Sequence, residues 1–234
     1  MKKLILAAFA LTTAASVFAQ GTIWLENRIL GTGGTTVRVY APLNPMDTVS
    51  VVGRSAIDTP PGSTDFGGRL LIGASGLTQQ YGGTTTYAQY LMAVGENQPA
   101  ASLVAVGATT TFRTGSGAGF LSSITSTITA IGATPIEPDY SGSLTVSIVA
   151  WDAQTYKFWE GPGGAKEAWL RGEIAAGMMA PFGITSLGGL TPIVHPNQTG
   201  QVLTSFNLYF IPEPGSFALL GLGAAAMLIF RRRK

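Results

Sequence analysis

Between Trp151 and Glu173 the chain reads WDAQTYKFWEGPGGAKEAWLRGE, where the carboxylates Asp152, Glu160, Glu167 and Glu173 are interleaved with Trp151, Tyr156, Trp159 and Trp169. Paired carboxylates beside aromatic rings are the equipment of glycoside hydrolysis, in which one acid protonates the leaving oxygen and the other serves as nucleophile or base. The same rings without the acids would suit a carbohydrate-binding module that stacks on the sugars of an extracellular polysaccharide. Spacing along a chain does not bring two acids face to face, however. The reading preferred here is that the acids form a solvated, helix-supporting surface and the tryptophans plug one end of the domain.

Other chemistry is poorly provided for. His195 is the only histidine, lies between Pro192 and Pro196, and has no serine in a G-x-S-x-G setting to activate. There is no cysteine, which removes thiol nucleophiles and thiolate metal sites, and a single histidine cannot furnish a zinc site. Asp58 and Asp65 share a loop, DTPPGSTDFGG, but no D-x-D-x-D-G ligand series exists, so the loop reads as plain turn chemistry. Thr114–Gly119 spaces its glycines G-x-G-x-G with no helix pattern after them, which predicts a hairpin turn instead of a phosphate cradle. The expectation is a non-enzymatic body with no cofactor and no metal.

The two ends of the chain carry stronger signals. Met1–Ala19 has Lys2 and Lys3, an apolar stretch from Leu4 to Ala15, and Val17 and Ala19 at the minus-three and minus-one positions, so residues 1–19 read as a signal peptide cut by signal peptidase between Ala19 and Gln20. At the other end Pro212, Glu213 and Pro214 precede sixteen uncharged residues, Gly215–Phe230, and then Arg231, Arg232, Arg233 and Lys234. At about 1.5 Å per helical residue that run spans roughly 24 Å, a little short of a hydrocarbon core, and cationic heads reaching into the headgroup layer recover part of the difference. Moving four cations through the bilayer costs about 2.5 to 3.5 kcal/mol each, so they act as a membrane stop on the cytoplasmic side.

This tripartite tail resembles the PEP-CTERM sorting signal of exported bacterial proteins. The resemblance implies an exosortase-type membrane protease as a partner, cleavage near the Pro212–Pro214 motif, and release of the body to the cell surface or extracellular matrix. The fragments TTTFRTGSGAGF, WDAQTYKFWEGPGGAKEAWLRGE and LTSFNL resemble, more loosely, a layout shared among PEP-CTERM proteins of uncharacterised function.

The expected division is therefore 1–19 signal peptide, 20–211 body and 212–234 sorting and anchor segment, with the transmembrane helix at about 215–230. The body holds eight Lys and Arg against eleven Asp and Glu, a net charge of −3, so the overall pI of 9.0 belongs to the two ends. Without a basic stripe, nucleic-acid binding is not expected. Short alternating apolar runs separated by Gly, Ser, Thr and Pro predict an all-β domain, a single antiparallel, jelly-roll-like β-sandwich. Strands are expected at Thr22–Arg28, Thr35–Tyr40, Thr84–Val94, Ser102–Val106, Thr109–Arg113, Ser122–Ile131, Ser143–Trp151 and Val202–Phe210, with a short extended piece in 181–190. One helix, Ala165–Arg171, is expected to cap an end or edge of the sandwich.

Overall fold

A computed structural model of the chain describes residues 21–30, 34–77, 79–137, 140–185, 187 and 203–212. The expected signal segment with Ala19 and Gln20, the His195 loop, and Glu213–Lys234 lie outside these residues. Among the described residues no helix is long and apolar enough to cross a membrane.

The fold is organised around one strand. Its sequence LTVSIVAWD is rich in β-branched and aromatic residues, which favour the pleated conformation, and all nine residues, Leu144–Asp152, are buried. In chain order the strands are β1 (Gly21–Leu25), β2 (Val39–Tyr40), β3 (Val52–Gly53), β4 (Thr86–Val94), β5 (Val104–Thr110), β6 (Ile124–Ile128), β7 (Ala130–Ile131), β8 (Thr134–Pro135), β9 (Leu144–Asp152), β10 (Ala176–Met178), β11 (Phe182–Ile184) and β12 (Ser205–Asn207). β9 pairs antiparallel with β4 along its whole length, from Thr86 opposite Asp152 to Val94 opposite Leu144. β5 continues the sheet beyond β4, and β10 and β11 share the other edge of β9.

Because side chains alternate across a strand, β9 serves two cores. Leu144, Val146, Ile148 and Ala150 face the larger one, which Ile23, Leu25, Val39, Ile128, Phe206 and Leu208 close from outside the sheet. Val149 and Trp151 face the opposite way, where Trp159, Ala165, Ala168 and Trp169 cover them. The polar members of the strand are satisfied: Thr145 donates to the Gly95 carbonyl and Ser147 to that of Met179, both at 2.7 Å.

The β-rich class with one short helix is as expected, but the described strands group into four hydrogen-bonded sheets instead of the two of a jelly-roll-like sandwich. β2, β12 and β3 form a three-stranded sheet in which β12 runs parallel to β2 and antiparallel to β3, so the architecture is not purely antiparallel. The runs 102–106 and 109–113 are largely one strand, because Gly107, at φ +68°, absorbs a register shift opposite β4 without ending the ladder. Conversely, the expected nine-residue final strand is regular for only three residues, β12.

The helix α1 (Ala165–Leu170) lies over the second face of the main sheet, not across an end of it, since the apolar second face of β9 would otherwise be wetted. One polar residue ties several segments together. Asn27 is buried, donates from Nδ2 to the Val37 and Gly119 carbonyls at 2.9 Å each, and accepts from the Leu121 N–H at 2.8 Å. Asn27→Ala is expected to leave the Val37 carbonyl and the Leu121 N–H unpaired, the Gly119 carbonyl keeping the Val39 N–H, and to cost about 2 to 3 kcal/mol. Urea unfolding of the two proteins, with an unchanged slope against denaturant, measures that loss.

Candidate functional site

The four aromatic residues singled out in the sequence are brought together, the three tryptophans with their faces turned inward and Tyr156 half-buried at the margin. Trp151, Trp159 and Trp169 have 0%, 1% and 8% of their surface exposed. They form a continuous ladder: Tyr87 meets Trp151 edge-on at 6.1 Å, Trp151 and Trp159 are 5.6 Å apart, Trp159 and Trp169 5.9 Å, and Trp169 meets Tyr209 edge-on at 5.3 Å. Offset and edge-on contacts of this kind each contribute about 0.5 to 1.5 kcal/mol beyond the area they bury. The indole N–H of Trp151 donates to the Tyr156 carbonyl at 2.8 Å and that of Trp169 to the Tyr209 carbonyl at 3.0 Å. A sugar-stacking platform needs open ring faces, and these three indoles have given theirs to one another and to β9.

The four acids are separated by their partners. Asp152 accepts from the Gln80 side chain at 2.9 Å and the Gln154 N–H at 3.1 Å. Glu160 takes the Ala105 N–H at 3.0 Å on the edge strand β5 and pairs with Lys166 at 3.2 Å. Glu167 accepts from the Gly163 N–H at 3.2 Å and lies 3.9 Å from Arg171. Glu173 binds the same guanidinium at 2.6 Å and the Tyr156 hydroxyl at 2.6 Å, and these two bonds, Arg171 first, hold its carboxyl down at about 2. A general acid needs a carboxyl raised toward neutrality, whereas Glu173 is shifted in the opposite direction. Glu167 and Glu173 share a cation between them, not a space for a substrate oxygen.

Asp58 and Asp65 diverge within their loop. Asp65 caps the Gly67 N–H at 2.8 Å, as a turn residue does. The Asp58 side chain is fully buried instead, accepting from the Ser55 N–H at 2.6 Å and the Ser205 hydroxyl at 2.8 Å, with Arg38 at 3.3 Å. It is a buried anchor for β12. No group of three or more acids or histidines that could hold a metal occurs among the described residues.

The arrangement with the clearest relation to the expected tail lies at the last of the described residues. After β12 the backbone remains held residue by residue: Leu208 N–H donates to the Tyr40 carbonyl at 2.9 Å, Tyr209 exchanges two bonds with Ala176, and Phe210 N–H donates to the Asp47 carbonyl at 2.8 Å. Ile211 still packs on the aromatic core, and Pro212, the first residue of the predicted sorting motif, is exposed. β10 approaches this segment so closely that a side chain at Gly177 would meet the Asn207 carbonyl at 2.1 Å.

Asp47 and Arg69 clamp the exit. Arg69 forks onto the carboxylate, Nε to Oδ2 at 2.8 Å and Nη2 to Oδ1 at 2.9 Å, with both side chains under a tenth exposed. The same oxygens accept the N–H groups of Leu43 at 2.8 Å and Val49 at 3.2 Å. Burial pushes the Asp47 carboxyl up, but the Arg69 guanidinium and the two backbone donors outweigh it and hold the group below its ordinary value. Neither residue was a candidate from the sequence. The available signal was that Ala41–Val52 carries one charge, Asp47, in an otherwise apolar and small-polar run, and a buried lone acid must find a cation.

The family model for the PEP-CTERM protein-sorting motif matches residues 210–234. Its first residues therefore overlap the clamped segment. No curated protein and no solved structure matches the chain.

Trp159→Ala is expected to remove about 3 to 5 kcal/mol of stability by opening a cavity between two other indoles, and iodide should quench Trp151, Trp159 and Trp169 poorly in the folded protein. An unchanged unfolding midpoint would mean that the ring is not part of a core. Asp47→Asn should cost about 3 to 5 kcal/mol near neutral pH by leaving Arg69 buried without its partner. Because the folded Asp47 carboxyl is depressed, its contribution is complete above the unfolded carboxyl value near 4 and disappears as pH falls through the folded one. Denaturation midpoints of wild type and Asp47→Asn should therefore converge as the pH is lowered past the unfolded carboxyl value near 4 and through the depressed folded one.

Proposed function

We propose that the protein, through the PEP-CTERM sorting motif carried in its tail, is exported and held temporarily in the inner membrane with its body outside the cytoplasm. An exosortase-type protease would then cut near Pro212–Pro214 and pass the body to the cell surface or extracellular matrix. The body serves there as a structural or matrix-associated unit without catalysis.

The observation that carries this reading is the abrupt change of environment at one residue. Ile211 packs on the core, Pro212 is exposed, and the Pro212–Pro214 tripeptide of the motif matched over residues 210–234 begins there. A protease needs exposed backbone, and Pro212, the first residue of the tripeptide, is exposed. The use of the acids and tryptophans in salt links, strand capping and core packing supports a non-catalytic body, and it favours neither a sugar platform nor a hydrolase.

The test is to express the chain, tagged in an exposed body loop, in cells that contain an exosortase-type protease. The unaltered chain should appear as a shortened body in the surface or medium fraction. With Pro212→Ala, Glu213→Ala and Pro214→Ala together, the full-length form should accumulate in the membrane fraction, and identical fractions for the two chains would contradict the sorting role.

A further inference from the structure

The topology around β12 places one loop across the point where the tail leaves. β2 runs parallel to β12 on one side and β3 antiparallel on the other. The connection from Tyr40 to Val52 must therefore pass across the end of β12 from which the chain departs. Its hydrogen bonds trace that course, with the Leu208 N–H on Tyr40, the Phe210 N–H on Asp47 and the Asn207 N–H on Val51.

This loop is unusual in what it exposes. Asn44 accepts the Met46 N–H at 2.8 Å and its carbonyl accepts the Asp47 N–H at 3.0 Å, a tight turn that leaves Met46 85% exposed at its tip. Leu43 and Val49 beside it, and Leu70 next to the clamping Arg69, are each about half exposed. The only charge in the loop is withdrawn into the ion pair with Arg69. Leu43, Leu70 and Leu77 also line a cleft of about 500 Å³ on the same side. A soluble surface normally scatters its apolar side chains singly, and a cluster without exposed charge needs an occupant.

The length of chain beyond the exit identifies it. We propose that this loop is a bilayer-contact surface: while the precursor is anchored, Leu43, Met46, Val49 and Leu70 rest in the interfacial layer of the membrane, orienting the body with its exit face down. The inference rests on the membrane-anchored reading of the tail. Only Pro212, Glu213 and Pro214 separate the packed Ile211 from the uncharged run that starts at Gly215. At about 3.5 Å per extended residue, Gly215 lies within roughly 14 Å of Ile211. The polar layer between water and hydrocarbon is itself about 5 to 8 Å deep. So short a tether keeps the exit end within roughly 6 to 9 Å of that layer at most, and apolar side chains seated about 5 to 10 Å into the layer are the ordinary means of interfacial contact.

The absence of cysteine makes the test direct. Full-length chains carrying one cysteine each, Leu43→Cys, Met46→Cys, Val94→Cys or Ala224→Cys, are labelled with an environment-sensitive fluorophore. They are reconstituted into phosphatidylethanolamine–phosphatidylglycerol vesicles with and without headgroup- or chain-nitroxide lipids. Val94 is 40% exposed and lies opposite Leu144, at the far end of the β4–β9 ladder from Asp152, about 25 Å away. Labels at 43 and 46 should be quenched several-fold more than the label at 94 by the headgroup nitroxide, and the label at 224 by the chain nitroxide. Labels at 43 and 46 that behave like the one at 94, with 224 quenched, would overturn the contact surface and leave anchoring intact. An unquenched 224 label would overturn anchoring and this inference with it. Blue-shifted emission at 43 and 46 without lipid quenching would also overturn it, assigning the loop to another segment of the chain or, where the shift grows with protein concentration, to a second copy.

Discussion

The requirement that β9 be dry on both faces organises the rest of the molecule. A strand with apolar side chains on one face can leave the other to water, but Val149 and Trp151 make the second face of β9 as demanding as the first. Six residues of helix would be marginal alone, and α1 is stable where it is because Ala165, Ala168 and Trp169 are buried against that face. The tryptophans follow from the same requirement. They fill the space between sheet and helix; the Trp151 N–H reaches the Tyr156 carbonyl, which a purely aliphatic filling would leave without that partner, and the Trp169 N–H adds a second donor to the Tyr209 carbonyl.

Much of this was legible in the sequence, for reasons that differ by element. β9 and β4 were legible because nine-residue runs with period-two patterning have few alternatives, and α1 because Gly161–Gly164 and Gly172 punctuate it. The burial of the tryptophans was legible as a plug at one end of the domain, but their place between α1 and the second face of β9 was not. That depends on a face of β9 whose alternation, Thr145, Ser147, Val149 and Trp151, changes from polar to apolar along its length. The split into several sheets was hidden because it rests on pairings between segments far apart in the chain, such as β1 with β6. The parallel placement of β12 beside β2 is likewise a pairing across more than 160 residues that no local pattern encodes.

The exit of the chain inherits its rigidity from β9 through a short relay. β10 pairs with β9, its Ala176 also bonds Tyr209, and Trp169 from the helix over the other side of the sheet donates to the Tyr209 carbonyl. Asp58 adds a second attachment by holding Ser205 from within the loop that was read as turn chemistry. The segment just before Pro212 is thus fastened from the sheet, the helix and two loops. That explains why a strand with only three regular residues can end a domain firmly.

The Asp47–Arg69 pair has a role that follows from its geometry more than from its energy. A buried ion pair is often no more stabilising than apolar residues of the same volume, because removing both charges from water costs about as much as their attraction returns. Two leucines could therefore fill the space. They could not accept the Leu43 and Val49 N–H groups, which the carboxylate does while Arg69 saturates its remaining lone pairs. Those two bonds fix both limbs of the loop that crosses the exit, and the backbone carbonyl of the same Asp47 takes the Phe210 N–H. One residue thereby sets the shape of the loop and its distance from the departing chain, and an uncharged replacement would relax both at once.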